Sequence, residues 1–135
     1  MKNASVLIVN EKIDHKGILT NAAFVLGLTA GRMMEEAAFG PEVIDGDGSP
    51  HTYLTNMAHF VRRAGQNKIR TLRKEFLEAG CKVIDYTEDA STSTYSDYEA
   101  LLQSHKGEEI VYRAIYVLGS EEIVVPKTKS LSSLQ

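Results

Sequence analysis

Ser5 to Asn10 reads Ser-Val-Leu-Ile-Val-Asn, a short apolar run rich in β-branched residues. That is the pattern of a strand covered on both faces. Gly17 to Gly31 then carries no charged residue at all. A helix that is apolar all round is a buried one, so a buried helix is predicted from Gly17 to about Arg32. Between the two lies the polar loop Asn10 to Lys16, at the C-terminal edge of the strand. Open α/β sheets hold their ligands at that edge.

Further along, Glu35 to Asn56 is irregular, punctuated by Gly40-Pro41, Gly46, Gly48 and Pro50, with Val43-Ile44 as a short strand. A connection of this length is a candidate functional loop. Ala58 to Arg63 reads as the second main strand. Asn67 is placed to cap a helix running to Ala79, with Ile69, Leu72, Phe76 and Ala79 on one face and Gly80 as its stop. Lys82 to Tyr86 reads as a third strand, Thr87 to Thr94 as a Ser/Thr-rich loop, Ser96 to Gln103 as a short helix and Ile110 to Leu118 as a fourth strand. A last helix, Glu121 to Val125, is expected to break at Pro126.

Alternating strands and helices predict a single α/β domain over residues 1–135, a three-layer α/β/α sandwich around a mixed sheet of about four strands. The chain has 135 residues, 43% hydrophobic and 24% charged, with a net charge of -3. That is ordinary globular composition. An acidic balance argues against a dedicated nucleic-acid domain. The uncharged run is shorter than the roughly 18 residues a membrane span needs, so no membrane segment is expected. Cys81 is the only cysteine, so no intrachain disulfide forms, and a reducing, cytoplasmic setting is expected. The N-terminus has no signal-peptide pattern.

Candidate chemistry gathers in three places. Asp14, His15 and Lys16 line the first loop, where Lys16 beside a helix N-terminus would favour an anion. Asn21 lies one turn into that helix, as either a ligand-orienting amide or a core amide. Asp45, Asp47 and His51 sit within seven residues. They read as turn residues, as an acid/base pair or as ligands for a divalent cation. An EF-hand is excluded, because Pro50 and Asn56 stand where glycine and glutamate are required. Asp89, Ser91 and Thr92 would offer hydrogen bonds to a ligand from the third loop. Cys81 reads as a buried apolar residue. No Gly-rich dinucleotide or phosphate loop and no Gly-x-Ser-x-Gly elbow is present, so no cofactor is expected. The basic residues Lys68, Arg70, Arg73 and Lys74 read as a charged helix face, open to an anionic partner in an interaction module.

The residues Gly17-Ile18-Leu19-Thr20-Asn21, Asn67 to Gly80, Lys82 to Tyr86 and Ala114 to Leu131 resemble the type II peptidyl-tRNA hydrolases. More closely, the chain is similar to small bacterial proteins of unknown function related to them. The shared signatures are Asn21-Ala22-Ala23, Asp45-Gly46-Asp47-Gly48-Ser49-Pro50-His51 and Asp97-Tyr98. The resemblance implies the hydrolase-like fold and a small or anionic ligand at the C-terminal edge of the sheet. It also implies, as an alternative, hydrolysis of a peptidyl-tRNA or other ester bond. There His51 would act as acid or base, oriented by Asp47 or Asp45, with Lys16 stabilising negative charge. The hydrolases carry a lysine where a gapless match places Gly17. Small domains of this type commonly pair, and a homodimer is expected.

Overall fold

The computed structural model describes residues 2–92 and 94–134, with the backbone alone of Thr92. The first strand, β1 (Asn3–Asn10), is buried on both sides, as its unbroken apolar run requires. It leads into α1 (Lys16–Met33). A two-stranded hairpin, β2 (Val43–Ile44) with β3 (Pro50–His51), follows. Next come β4 (Ala58–Ala64), α2 (Gln66–Glu78), β5 (Lys82–Thr87), α3 (Glu88–Thr92), α4 (Tyr95–Ser104), β6 (Tyr112–Ser120), α5 (Glu121–Thr128) and β7 (Ser132–Ser133).

The main sheet has five strands in the order β5-β6-β1-β4-β7, one more than the four predicted. The addition is β7, whose two serines pair with Arg62 and Arg63 at the sheet's edge. β1 and β4 are parallel across the α1 crossover, whereas β6 is antiparallel to both β1 and β5. The C-terminal ends of β1, β4 and β5 therefore share one edge of the sheet.

Two apolar clusters fill the two faces. Ala4, Val6 and Ile8 of β1 meet Ile69, Leu72 and Phe76 of α2, Ile115 and Val117 of β6, and Val124 of α5. Across the sheet, Leu7 and Val9 meet Ala22, Leu26 and Ala30 of α1 and the β6 residues Ala114, Tyr116 and Leu118. Helices thus cover both faces of a mixed sheet.

Four local expectations are corrected. α1 is buried only along Ala22, Leu26 and Ala30, and its outer side, with Phe24 and Leu28 each 66% exposed, faces solvent. A missing charge says that a helix face is apolar, not that something covers it. Gly65, not Asn67, is the N-cap of α2, and the Asn67 side chain accepts from Arg70 instead. The stretch read as a Ser/Thr loop forms α3 up to Thr92, with the Thr87 hydroxyl accepting from Ala90 N. Ser93 of that stretch lies outside the described residues. Finally, α5 runs through Pro126 to Thr128, where the hydroxyl of Thr128 donates back to Val124 O. Pro126 has no N–H to offer Glu122 O, and it lies on the exposed side of α5, two residues before the helix ends.

Candidate functional site

At the shared C-terminal edge, Asn10 is buried and fully engaged. Its amide donates to Tyr112 O and its carbonyl accepts from Lys12 N, so it fixes the start of the loop into α1. His15 then caps α1, its Nδ1 accepting from Ile18 N. Lys16 is exposed in the first turn, and its carbonyl accepts from the Thr20 hydroxyl. One turn later, Asn21 Nδ2 donates to the hydroxyl of Tyr86, 3.0 Å away at the end of β5. This bond ties α1 to the sheet.

Tyr86 lines a cleft of about 380 Å³ between α1, β5, α3 and α4. Val25 and Thr29 form one wall; Ile84, Asp85 and Ala90 another; Tyr95 and Tyr98 stand at the mouth, edge to face. Burial pushes the Tyr98 phenol above its ordinary pKa, and Asp85, Tyr95 and Asp89 add to the effect. Asp85 is already bonded to Arg73 of α2 at 3.0 Å. Beside the cleft, Asp89 Oδ2 lies 2.8 Å from His105 Nδ1. Ser91 spends its hydroxyl on Glu88 O. The edge thus brings Asn21 and Asp89 to the surroundings of one cleft, with Ser91 on the same short helix.

The Asp45–Asp47–His51 constellation lies elsewhere, in the exposed β2–β3 hairpin beyond the opposite end of α1. Asp45 Oδ1 accepts from the N–H groups of Asp47 and Ser49, and its Oδ2 lies 2.8 Å from His51 Nε2. The bond to His51, then those to Ser49 and Asp47, hold the Asp45 carboxyl below its ordinary pKa. Gly48 turns the loop with a φ of 84°, which favours glycine. Asp47 contributes a backbone N–H while its side chain stays exposed. These contacts fasten a turn. Among the described residues no three His, Cys, Asp or Glu side chains gather as a metal site.

A larger groove, about 820 Å³, opens at the other edge of the sheet, where β1, β4 and β5 begin. None of the residues singled out from sequence as catalytic or ligand-binding lines either cavity, although Asn21 and Asp89 adjoin the smaller one. The polar groups of the larger groove are largely committed: Lys82 Nζ donates to Met33 O, Asn56 Nδ2 to Ala37 O, and Lys2 O accepts from Glu121 N. Volume favours this groove, but the chemistry converges on the smaller cleft, and chemistry decides what a pocket can recognise.

Sequence reasoning missed His59, His105 and Tyr86, and named Tyr98 only within the shared Asp97-Tyr98 signature. Ser5 of β1 is buried and hydrogen-bonded to His59 Nδ1 on neighbouring β4. His59 Nε2 meets the Thr55 hydroxyl at 2.9 Å, and that hydroxyl already donates to Ala38 O. The proton order follows: Nε2 carries hydrogen and donates to Thr55, while Nδ1 accepts from Ser5. Burial holds the His59 pKa below its ordinary 6.5. The native state therefore favours neutral His59, and unfolding favours proton uptake as pH falls through 6.5. Stability from this group is present above that pH and lost below it. We expect urea denaturation to show a decline from pH 7.5 to 5.5 that is shallower in His59→Gln. Equal slopes in the two proteins would contradict the assignment.

Arg70 and Arg73 of the basic helix are also engaged, Arg70 with the carbonyls of Glu108 and Ile110 and Arg73 with Asp85. Only Lys68 and Lys74 of that set remain fully on the surface. No described helix is long and apolar enough to cross a membrane.

The fold and these contacts define a mixed α/β protein with a cleft beside the end of an edge strand. The chain belongs to the DUF2000 family, described as proteins of unknown function, whose model matches residues 3–135. A solved structure of a protein of unknown function from Agrobacterium tumefaciens strain C58 is similar to it, with a TM-score of 0.85 at 15% identity. That likeness covers 100% of this chain and 99% of the other, and at such low identity it concerns the fold. No curated protein matches the chain.

Proposed function

We propose that this protein binds a small ligand bearing a flat ring, seated in the tyrosine-lined cleft beside β5. The observation that carries the reading is the lining itself. Three tyrosines, Thr29 and Asp85 surround an apolar floor of Val25, Leu26, Ile84 and Ala90, in a volume of about 380 Å³. Ligand pockets combine apolar walls with a few placed polar groups in about 300–1,000 Å³. Tyrosine faces favour stacked or edge-on rings. Among the described residues no cation lines the cleft, and Asp85 is balanced by Arg73, so a neutral ligand is favoured over the anionic one that the exposed Lys16 would suggest. Asn21 acts here as a positioning residue, holding the Tyr86 ring and hydroxyl. The resemblance to the type II peptidyl-tRNA hydrolases stays within this proposal as a reading of the fold.

Thermal-shift screening with nucleosides, aromatic acids and sugars tests it. A true ligand raises the melting temperature with concentration, by an amount equivalent to about 2.7 kcal/mol at 100 times its Kd. Ala90→Leu, which fills the cleft, should abolish the shift, and Asn21→Ala should weaken it. A shift that survives Ala90→Leu, or a panel without any shift, overturns the proposal.

A further inference from the structure

The hydroxyl of Tyr86 has a proton left to place. Tyr86 is 8% exposed, and its ring belongs to the apolar cluster that holds Ala22 and Leu26 of α1 and Ala114 of β6. Its oxygen accepts from Asn21 Nδ2 at 3.0 Å. An amide nitrogen only donates, whereas a phenol both accepts and donates. The Tyr86 proton is therefore not used on Asn21. Among the described residues no group accepts it. Asp85, the preceding residue, projects from the opposite face of β5 and meets Arg73 of α2 at 3.0 Å. Asp89 faces His105 at 2.8 Å. Buried polar groups are nearly always hydrogen-bonded, and Tyr86 lines the cleft. The acceptor is thus expected from whatever the cleft holds.

We infer that the ligand is a neutral ring bearing a carbonyl, whose oxygen accepts from the Tyr86 hydroxyl, and that Tyr86 sets the specificity of the cleft. The inference rests on the reading of the cleft as a ring-binding site and goes beyond it to the chemical class. A carbonyl projects past the edge of its ring, so it can reach the hydroxyl while the ring lies against Val25, Ile84 and Ala90. A donor group on the ligand is a poorer match, because the Tyr86 oxygen already accepts from Asn21. A carboxylate is poorer too. Among the described residues no cation lines the cleft, and two carboxylates, Asp85 and Asp89, stand close to Tyr98 at its mouth. Asn21 orients the hydroxyl and is thereby a positioning residue. A site built to donate to a ligand oxygen rejects the analogue that lacks it, because the buried donor is then left unpaired.

Ligand-observed NMR titration of the full chain with matched pairs is the test: indanone against indane, and inosine against purine riboside. In each pair one ring bears the carbonyl and the other lacks it. The wild type should prefer the carbonyl member, and Tyr86→Phe should reduce that preference by about tenfold or more. Binding of indane should be unchanged, since phenylalanine keeps the ring and the freed amide of Asn21 is exposed to water. Asn21→Asp is the second variant. Its carboxylate accepts the Tyr86 proton, so the preference should fall although the hydroxyl stays. A preference that survives both variants overturns the inference. Equal binding of the two members by the wild type also overturns it, by showing that the proton is already spent. So does a carbonyl member whose binding survives Ala90→Leu, because it then sits elsewhere. If neither pair binds, this inference falls, whereas the reading of the cleft falls only if the wider thermal-shift panel is blank as well.

Discussion

Phe76→Ala is expected to cost about 3–5 kcal/mol, the range for emptying a fully buried aromatic position. Phe76 is entirely inaccessible and is the largest fully buried side chain. It projects from α2 into the cluster formed by Ala4, Val6 and Ile8 of β1 and Ile115 and Val117 of β6. Those neighbours are short or β-branched, with stiff χ1 angles, so they cannot swing in to fill the space. Its carbonyl also accepts from Cys81 N, at the turn where α2 hands over to β5. The loss falls on packing and not on this backbone bond, which alanine keeps. Domains of this kind hold about 5–15 kcal/mol in total, so the variant should sit near the edge of folding. Urea denaturation of Phe76→Leu should show a smaller loss, because leucine leaves a smaller hole. A cost under about 1 kcal/mol for Phe76→Ala would mean that the site collapses or that α2 is loosely held.

Phe76 is legible in the sequence because Ile69, Leu72 and Phe76 recur at intervals of three and four, against charged residues on the other side. The same logic misleads at α1. Its run of uncharged residues shows that every face tolerates apolar neighbours, yet only Ala22, Leu26 and Ala30 face the sheet. Periodicity locates a buried stripe only when polar residues mark the other side. β7 carries no signal, since two serines gain their strand geometry from Arg62 and Arg63 of β4. α3 did carry one: Thr87 at the cap, followed by acidic Glu88 and Asp89 in the first turn. The hydroxyls of the segment masked it, because Ser and Thr serve caps and loops equally well.

The candidate site divides in the same way. His51 and Asp45 are six residues apart, and their pairing follows from a tight hairpin visible in Asp-Gly-Asp-Gly. Ser5 and His59 are 54 residues apart and meet only because β1 and β4 pair in parallel register. Asn21 meets Tyr86 across 65 residues for a comparable reason, with α1 lying over the sheet. Short-range chemistry is readable from spacing. Long-range chemistry needs the strand order, which composition does not encode. The expectation of a site at the C-terminal edge came from the fold class, whereas the cleft lies along the outer strand β5 against the middle of α1, without Asp47 or His51 on its walls.

Gly119→Ala tests a contact of this long-range kind. The substitution is expected to cost about 1–3 kcal/mol, the usual range for overfilling a packed site. Gly119 lies on β6 with ordinary backbone angles, so its requirement is for space and not for a left-handed conformation. A Cβ there would stand 2.6 Å from Cys81 Sγ, 3.3 Å from Cys81 Cβ and 3.5 Å from Val124 Cγ2. Cys81 is buried at the start of β5, and its burial holds the thiol above its ordinary pKa, so the sulfur is a neutral packing atom. Val124 of α5 closes the other side of the new Cβ, so any relief must come from the sulfur, whose residue borders the larger groove. Removing the sulfur should therefore relieve the strain. The double variant Cys81→Ala/Gly119→Ala is expected to be more stable than the sum of the two single losses, by a coupling of about 0.5–3 kcal/mol. Relief should be incomplete, because the Cys81 Cβ position remains close. Strictly additive losses in urea denaturation would show that β6 shifts away from β5 instead. In that case the close approach of these two strands, and with it the start of the edge strand that carries Tyr86, would be less rigid than this packing implies.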